Sequence, residues 1–188
     1  MKRALTALAG AVALSFAASA CGSITPDAAV VNGHAIKVRD IEADVSTLVD
    51  MGAQPGDPAA VTLPSAGMRR ILTVEIIAEV LRADLVTKGV TVDAAAVQAA
   101  DSALTAEGAF GPQWSTAPGD VRTRINTAQA TINVATQAAG GDAGFNTLLS
   151  TLTSGAKITI NPRYGSWNPE PSTSGEFITT LAPRLTDR

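Results

Sequence analysis

The sequence predicts a mainly α protein of about five helices with a small antiparallel β component, and three observations carry that expectation. Asn32-Gly33 stands between two short apolar runs, a strong hairpin signal because both residues tolerate positive φ. Long segments between residues 39 and 153 repeat apolar residues at spacings of three and four, the period of a helix with one buried face. Lys157-Ile158-Thr159-Ile160-Asn161 then alternates strictly, as a half-buried strand does.

In chain order, residues 22–28 (Gly22, Ser23, Thr25, Pro26) read as a short tether. The hairpin joins Ala29-Val30-Val31 to Ala35-Ile36-Lys37-Val38. A first helix is expected over 39–51, with Ile41, Val45, Leu48 and Val49 on one face and Gly52 ending it. Residues 53–64 hold Pro55, Gly56, Pro58 and Pro64 and read as a loop. The second helix, 66–88, has Ser65 as its expected cap and Gly89 as its stop. Its apolar residues fall on two flanks, Ile71, Val74, Ile77, Leu81 and Leu85 on one and Leu72, Ile76 and Val80 on the other. A helix apolar on two flanks is covered from two sides, so this one is expected at the centre.

A third helix is expected over 93–107, followed by a Gly/Pro loop holding Phe110 and Trp114. The fourth, over 119–139, carries a narrow seam of Val121, Ile125, Ala128, Ile132, Ala135 and Ala139, with Thr, Asn and Gln on its other faces. A short fifth helix, 143–153, offers Phe145, Leu148, Leu149 and Leu152. After the strand comes Pro162-Arg163-Tyr164-Gly165-Ser166-Trp167, and residues 169–188 read as a flexible tail apart from docking by Phe177-Ile178.

Composition excludes several function classes. The chain has 188 residues, a net charge of −3 and 4% aromatic residues. Its charges are scattered, so it lacks the basic footprint of a nucleic-acid binder. With His34 as the lone histidine and Cys21 as the lone cysteine, a zinc site lacks ligands. His34 follows a turn glycine and reads as a solvated side chain; no Gly-x-Ser-x-Gly elbow accompanies it. Glu75 and Glu79 share a helix face four residues apart and read as a solvated strip balanced by Arg82. Gly140-Gly141-Asp142 reads as a helix-to-helix turn, and Trp114, Tyr164 and Trp167 as structural aromatics. These residues predict no catalytic group, metal or cofactor, and therefore a binding module and not an enzyme.

The first 21 residues predict where it works. Lys2 and Arg3 precede an apolar run from Ala4 to Ala20, and Ala18-Ser19-Ala20-Cys21 closes it, the layout of a secretory signal over residues 1–20. The segment resembles the lipobox of bacterial lipoproteins, in which Cys21 takes a diacylglyceryl group and cleavage falls between Ala20 and Cys21. Ala18 departs from the leucine preferred there. Buried acyl chains add about 0.8 kcal/mol per methylene, so the expectation is a protein anchored by lipid to the outer side of the membrane in the cell envelope. Processing would leave twelve basic against seventeen acidic residues, a net charge of −5.

Two further segments carry a family likeness. Val30-Val31-Asn32-Gly33-His34-Ala35-Ile36, followed by a helix with a polar start, resembles the opening of the SurA/PrsA/trigger-factor-like chaperones. Ile158-Thr159-Ile160-Asn161-Pro162-Arg163-Tyr164-Gly165-Ser166-Trp167 resembles their closing strand and the segment after it. The resemblance covers about two dozen residues. It implies that both ends of the mature chain join one sheet in a helical chaperone-type domain over 29–168. It marks Asn32, Gly33, Ile36, Pro162, Arg163, Tyr164, Gly165 and Trp167 as structural motif residues. The family's parvulin isomerase domain has no counterpart, because residues 89–156 contain no histidine. The resemblance thus implies a holdase for unfolded, newly exported polypeptides, with Ile71, Leu72, Ile76 and Val80 as a candidate client groove. The competing expectation is an envelope scaffold docking one partner through its fourth helix or tail.

Overall fold

A computed structural model describes residues 27–52, 65–108, 110, 113–170 and 177–179. The leader, Cys21 and the loop read over 53–64 lie outside the described residues. The fold is mainly α, with a small antiparallel sheet. Strands β1 (Asp27–Val31) and β2 (His34–Lys37) form the hairpin, and helices α1 (Val38–Gly52), α2 (Ser65–Thr87), α3 (Ala94–Ala106), α4 (Gly119–Ala138) and α5 (Asp142–Gly155) follow. β3 (Ile158–Ile160), β4 (Ser166–Trp167) and β5 (Ile178–Thr179) close the described chain.

The sheet order is β2-β1-β3, so the two ends of the domain meet. Ala29 pairs with Ile160 and Val31 with Ile158, both antiparallel. Asn32 and Gly33 make the turn with φ of 50° and 92°, the backbone that Asn and Gly accept best. Asn32 also clamps the third strand. Its N–H donates to the Lys157 carbonyl, and its side-chain oxygen accepts from the Lys157 N–H, both at 2.9 Å.

Local chemistry accounts for the helix ends. Asp93 caps α3, accepting from the Ala96 N–H at 2.8 Å. Gly89, at φ 69°, closes α2: its N–H donates to the Val86 carbonyl and that of Val90 to Leu85. Val38 belongs to α1 and not to the hairpin, because the chain turns helical directly after Lys37.

α2 is the centre of the bundle, packed against α1, α4, α5 and the hairpin. One core joins Leu72, Ile76 and Val80 to Ala29 and Val31 of β1, Ile41 and Val45 of α1, and Tyr164 and Ile178. A second joins Leu81 and Leu85 to Ala135, Phe145 and Leu148. A third gathers Val121 and Ile125 around Trp114, with Leu48, Leu104 and Phe110 at its edge. α4 departs from the expected narrow seam. Asn126, Ala130 and Thr131 are buried along with Val121, Ile125, Ala128 and Ala135, because α3, α2, α1 and α5 all pack on it. The Asn126 amide nitrogen donates to Asp101 of α3 at 2.8 Å, and Thr131 donates back to the Thr127 carbonyl of its own helix at 2.7 Å.

Two domain limits move. Asp27 and Ala28, expected in the tether, are strand residues, since Ala28 and Ala29 are core positions. In the segment read as a tail, 171–176 and 180–188 lie outside the described residues, while 177–179 return to the domain: Trp167 pairs with Ile178, and the Trp167 and Phe177 rings stack at 5.1 Å. The docking expected of Phe177-Ile178 is what draws it back, because both are buried. Gly165 permits the approach. Its φ is 125°, and a Cβ there would stand 2.2 Å from the Thr179 carbonyl oxygen.

Candidate functional site: an apolar cavity with one carboxyl

Helices α1, α2, α3 and α4 do not close completely on one another. They leave a cavity of about 450 Å3, within the size range of about 300–1,000 Å3 usual for ligand clefts. Val45, Leu48 and Val49 line it from α1, and Gly67, Arg70, Ile71, Val74 and Glu75 from α2. Leu104 of α3, Phe110 and, from α4, Ile125 and Gln129 complete the wall. Eight of these side chains are aliphatic or aromatic, which makes the wall predominantly apolar. Exposed Arg70 marks the mouth, and Gln129 is engaged by Asn133, to whose side-chain carbonyl it donates at 2.8 Å.

Among the described lining residues Glu75 is the one carboxyl, and it makes no hydrogen bond with another described residue. Burial first, and then the Asp44 carboxylate, push its pKa from 4.5 up to about 7, against the weaker pull of Arg82 and Arg124. Of the solvated strip expected of Glu75 and Glu79, only the balancing of Glu79 by Arg82 holds, since the Glu79 side chain is 16% exposed. Glu79 does pair with Arg82, whereas Glu75 turns into the cavity. Nothing local separates the two, since both acids stand among apolar neighbours in Val74-Glu75-Ile76-Ile77-Ala78-Glu79-Val80.

Behind the cavity, α1 and α4 are locked by a buried ion pair. Asp44 is fully buried and accepts from Arg124 Nε at 3.0 Å and from a terminal guanidinium nitrogen at 2.5 Å. The other terminal nitrogen reaches Asp120 at 3.2 Å. Burial raises the Asp44 pKa even so, with Arg124 opposing. A second hub holds α3 to α4, with Asp101 accepting from Trp114 Nε1 at 3.1 Å, Arg122 at 2.6 Å and Asn126 at 2.8 Å. Those bonds outweigh burial and lower its pKa.

The candidate client groove is corrected. Leu72, Ile76 and Val80 are 0%, 0% and 3% exposed, spent on the core beneath the sheet, so they offer nothing to a client. Ile71 alone of the four borders the cavity. Periodicity divides the flanks of α2 correctly but cannot say which flank β1 covers.

The motif residues serve the fold, and none of them lines the cavity. Ile36 packs on the first core. Pro162 accepts the Gly165 N–H in the turn that reverses the chain after β3. Arg163 donates to Glu42 at 2.8 Å, tying that turn to α1, and its guanidinium lies 5.0 Å over the Tyr164 ring. Tyr164 is a core residue. His34 is 77% exposed and stands 3.8 Å from Glu79. Among the described residues no helix is long and apolar enough to cross a membrane. No protein-family model, curated protein or solved structure matches this chain.

Proposed function

We propose that the chain is a lipid-anchored envelope lipoprotein of SurA-like ancestry. In this reading it acts without catalysis as a holdase for exported polypeptides that are not yet folded. The observation that carries the reading is the cavity between α1, α2, α3 and α4. Apolar walls attract without directional demand, so they accept Leu, Val, Ile or Phe from many sequences. Burying each such side chain is worth roughly 1.5–3 kcal/mol. Two or three of them, less the cost of association, leave micromolar-type binding that exchanges readily. Lipid on Cys21 would hold this cavity beside the membrane, where such clients emerge.

The scaffold alternative keeps the location but needs a face for one partner. The burial of Asn126 and Thr131 withdraws much of α4 from that role, and the β4–β5 pairing occupies part of the tail. The test is suppression of light scattering by an unfolding client in the presence of the purified chain. Wild type in molar excess is expected to suppress it, and Val74→Phe, which fills the cavity, to suppress it less. Unchanged aggregation with wild type would overturn the holdase reading. Capture of one stoichiometric partner in place of many sub-stoichiometric clients would establish the scaffold.

A further inference from the structure

Among the described residues, the lining of the cavity is uncharged except at two points: Arg70 at the mouth and Glu75 within. The charge pattern bears on the occupant. A cationic segment entering the cavity meets the Arg70 guanidinium, and an anionic one meets Glu75. An uncharged apolar segment meets neither penalty, provided that Glu75 is itself neutral when covered. A covered carboxylate without a hydrogen-bond partner is among the costliest groups to bury, whereas the neutral acid can donate to a backbone carbonyl of the occupant.

We propose, building on the holdase reading, that the cavity takes uncharged apolar polypeptide segments and that protonation of Glu75 gates their entry. The neutral acid accepts the segment, and the carboxylate holds water in the cavity and releases it. Its charged surroundings come from three helices. Asp44 on α1 and Glu79 on α2 disfavour the carboxylate, while Arg82 on α2 and Arg124 on α4 favour it. On the lining itself, the described residues of α3 and the segment after it contribute Leu104 and Phe110, neither of them charged. Burial and Asp44 prevail, so the carboxyl titrates about pH 7, where a change in envelope acidity would move it.

The test is equilibrium binding of a coumarin-labelled, terminally blocked peptide of Leu, Val and Ser to the full chain at pH 5.5 and 8.5. If only the neutral form binds, the apparent Kd weakens about 30-fold between those values for a group titrating near 7. Glu75→Gln is expected to bind equally at both. Should that variant fail to fold, the wild-type Glu75 carboxyl, followed by carbon NMR, is expected to titrate higher when the cavity is saturated with peptide. Binding that is measurable but equal at both pH values, or a Glu75 titration that saturation leaves in place, overturns the gate and spares the holdase reading. Absence of binding at either pH overturns both. Tighter binding of a Lys-containing peptide at pH 8.5 would make Glu75 an ion-pairing residue and also overturn the gate.

Discussion

The two flanks of α2 carry nearly the same kinds of side chain and meet opposite fates. On one flank Leu72, Ile76 and Val80 sit under β1 and against α1 with no solvent exposure beyond 3%. On the other, Ile71 and Val74 border a void, with Glu75 among them. The difference arises from what covers each flank. A strand with small residues at Ala28 and Ala29 lies flat on the first and fills it. The second faces α1, α3 and α4, which the Asp44–Arg124 and Asp101 clusters tie together without filling the space against Ile71 and Val74. Hydrophobicity alone therefore does not mark the site; incomplete coverage does.

Four experiments put this contrast at risk. The largest effect is expected at the brace. Arg124→Ala leaves the fully buried Asp44 without its partner, and breaking such a pair costs about 3–5 kcal/mol, measured as the shift of the urea midpoint. A loss under about 1 kcal/mol, the worth of a surface pair, would mean that α1 and α4 are held by packing alone.

Next comes the pair of flanks itself. Ile76→Ala on the dry flank is expected to cost about 2–5 kcal/mol, the range for aliphatic truncation in a close-packed core. Ile71→Ala, which only widens existing space, should cost roughly 1 kcal/mol. Equal losses would erase the distinction.

The third effect is pH dependence. Glu75 has a pKa of about 7 in the folded protein against an ordinary value of 4.5, so between these values the native state holds more protons than the unfolded one. Stability is then full below about pH 4.5 and declines as pH rises through 7, by about 3 kcal/mol at most. Glu75→Gln should remove most of that decline in urea titrations run on either side of neutrality. Asp44, also raised, leaves a residual slope of the same sign. A wild-type midpoint that climbs from acid to mildly alkaline pH would contradict the burial of Glu75. The smallest effect is expected from Val74→Phe. Filling space should leave stability within about 1 kcal/mol, and a larger loss would indicate that the cavity cannot accept a ring.

Much of the fold was legible in the chain itself. Asn32-Gly33 specified its turn through backbone tolerance, Gly89 ended α2 as a residue without a Cβ can, and the two-sided pattern of α2 placed it at the centre. The likeness of the two terminal segments to one family suggested their union in a sheet, and Ala29 does pair with Ile160. The site was less legible. Leu72, Ile76 and Val80 were assigned to a groove because a helical repeat distinguishes flanks without naming their neighbours. The Asp44–Arg124 pair spans eighty residues, and nothing near either residue announces the other.

Residue order alone was enough to set the hairpin turn, the five helices and the strand that follows them. Each depends on groups within a few positions of one another, where backbone preference and capping act. Three-dimensional assembly was needed to choose which apolar flank is spent on the core, to enclose α4 on several sides, and to bury much of Glu75. Those outcomes follow from desolvation and shape, which are properties of surfaces built from distant parts of the chain.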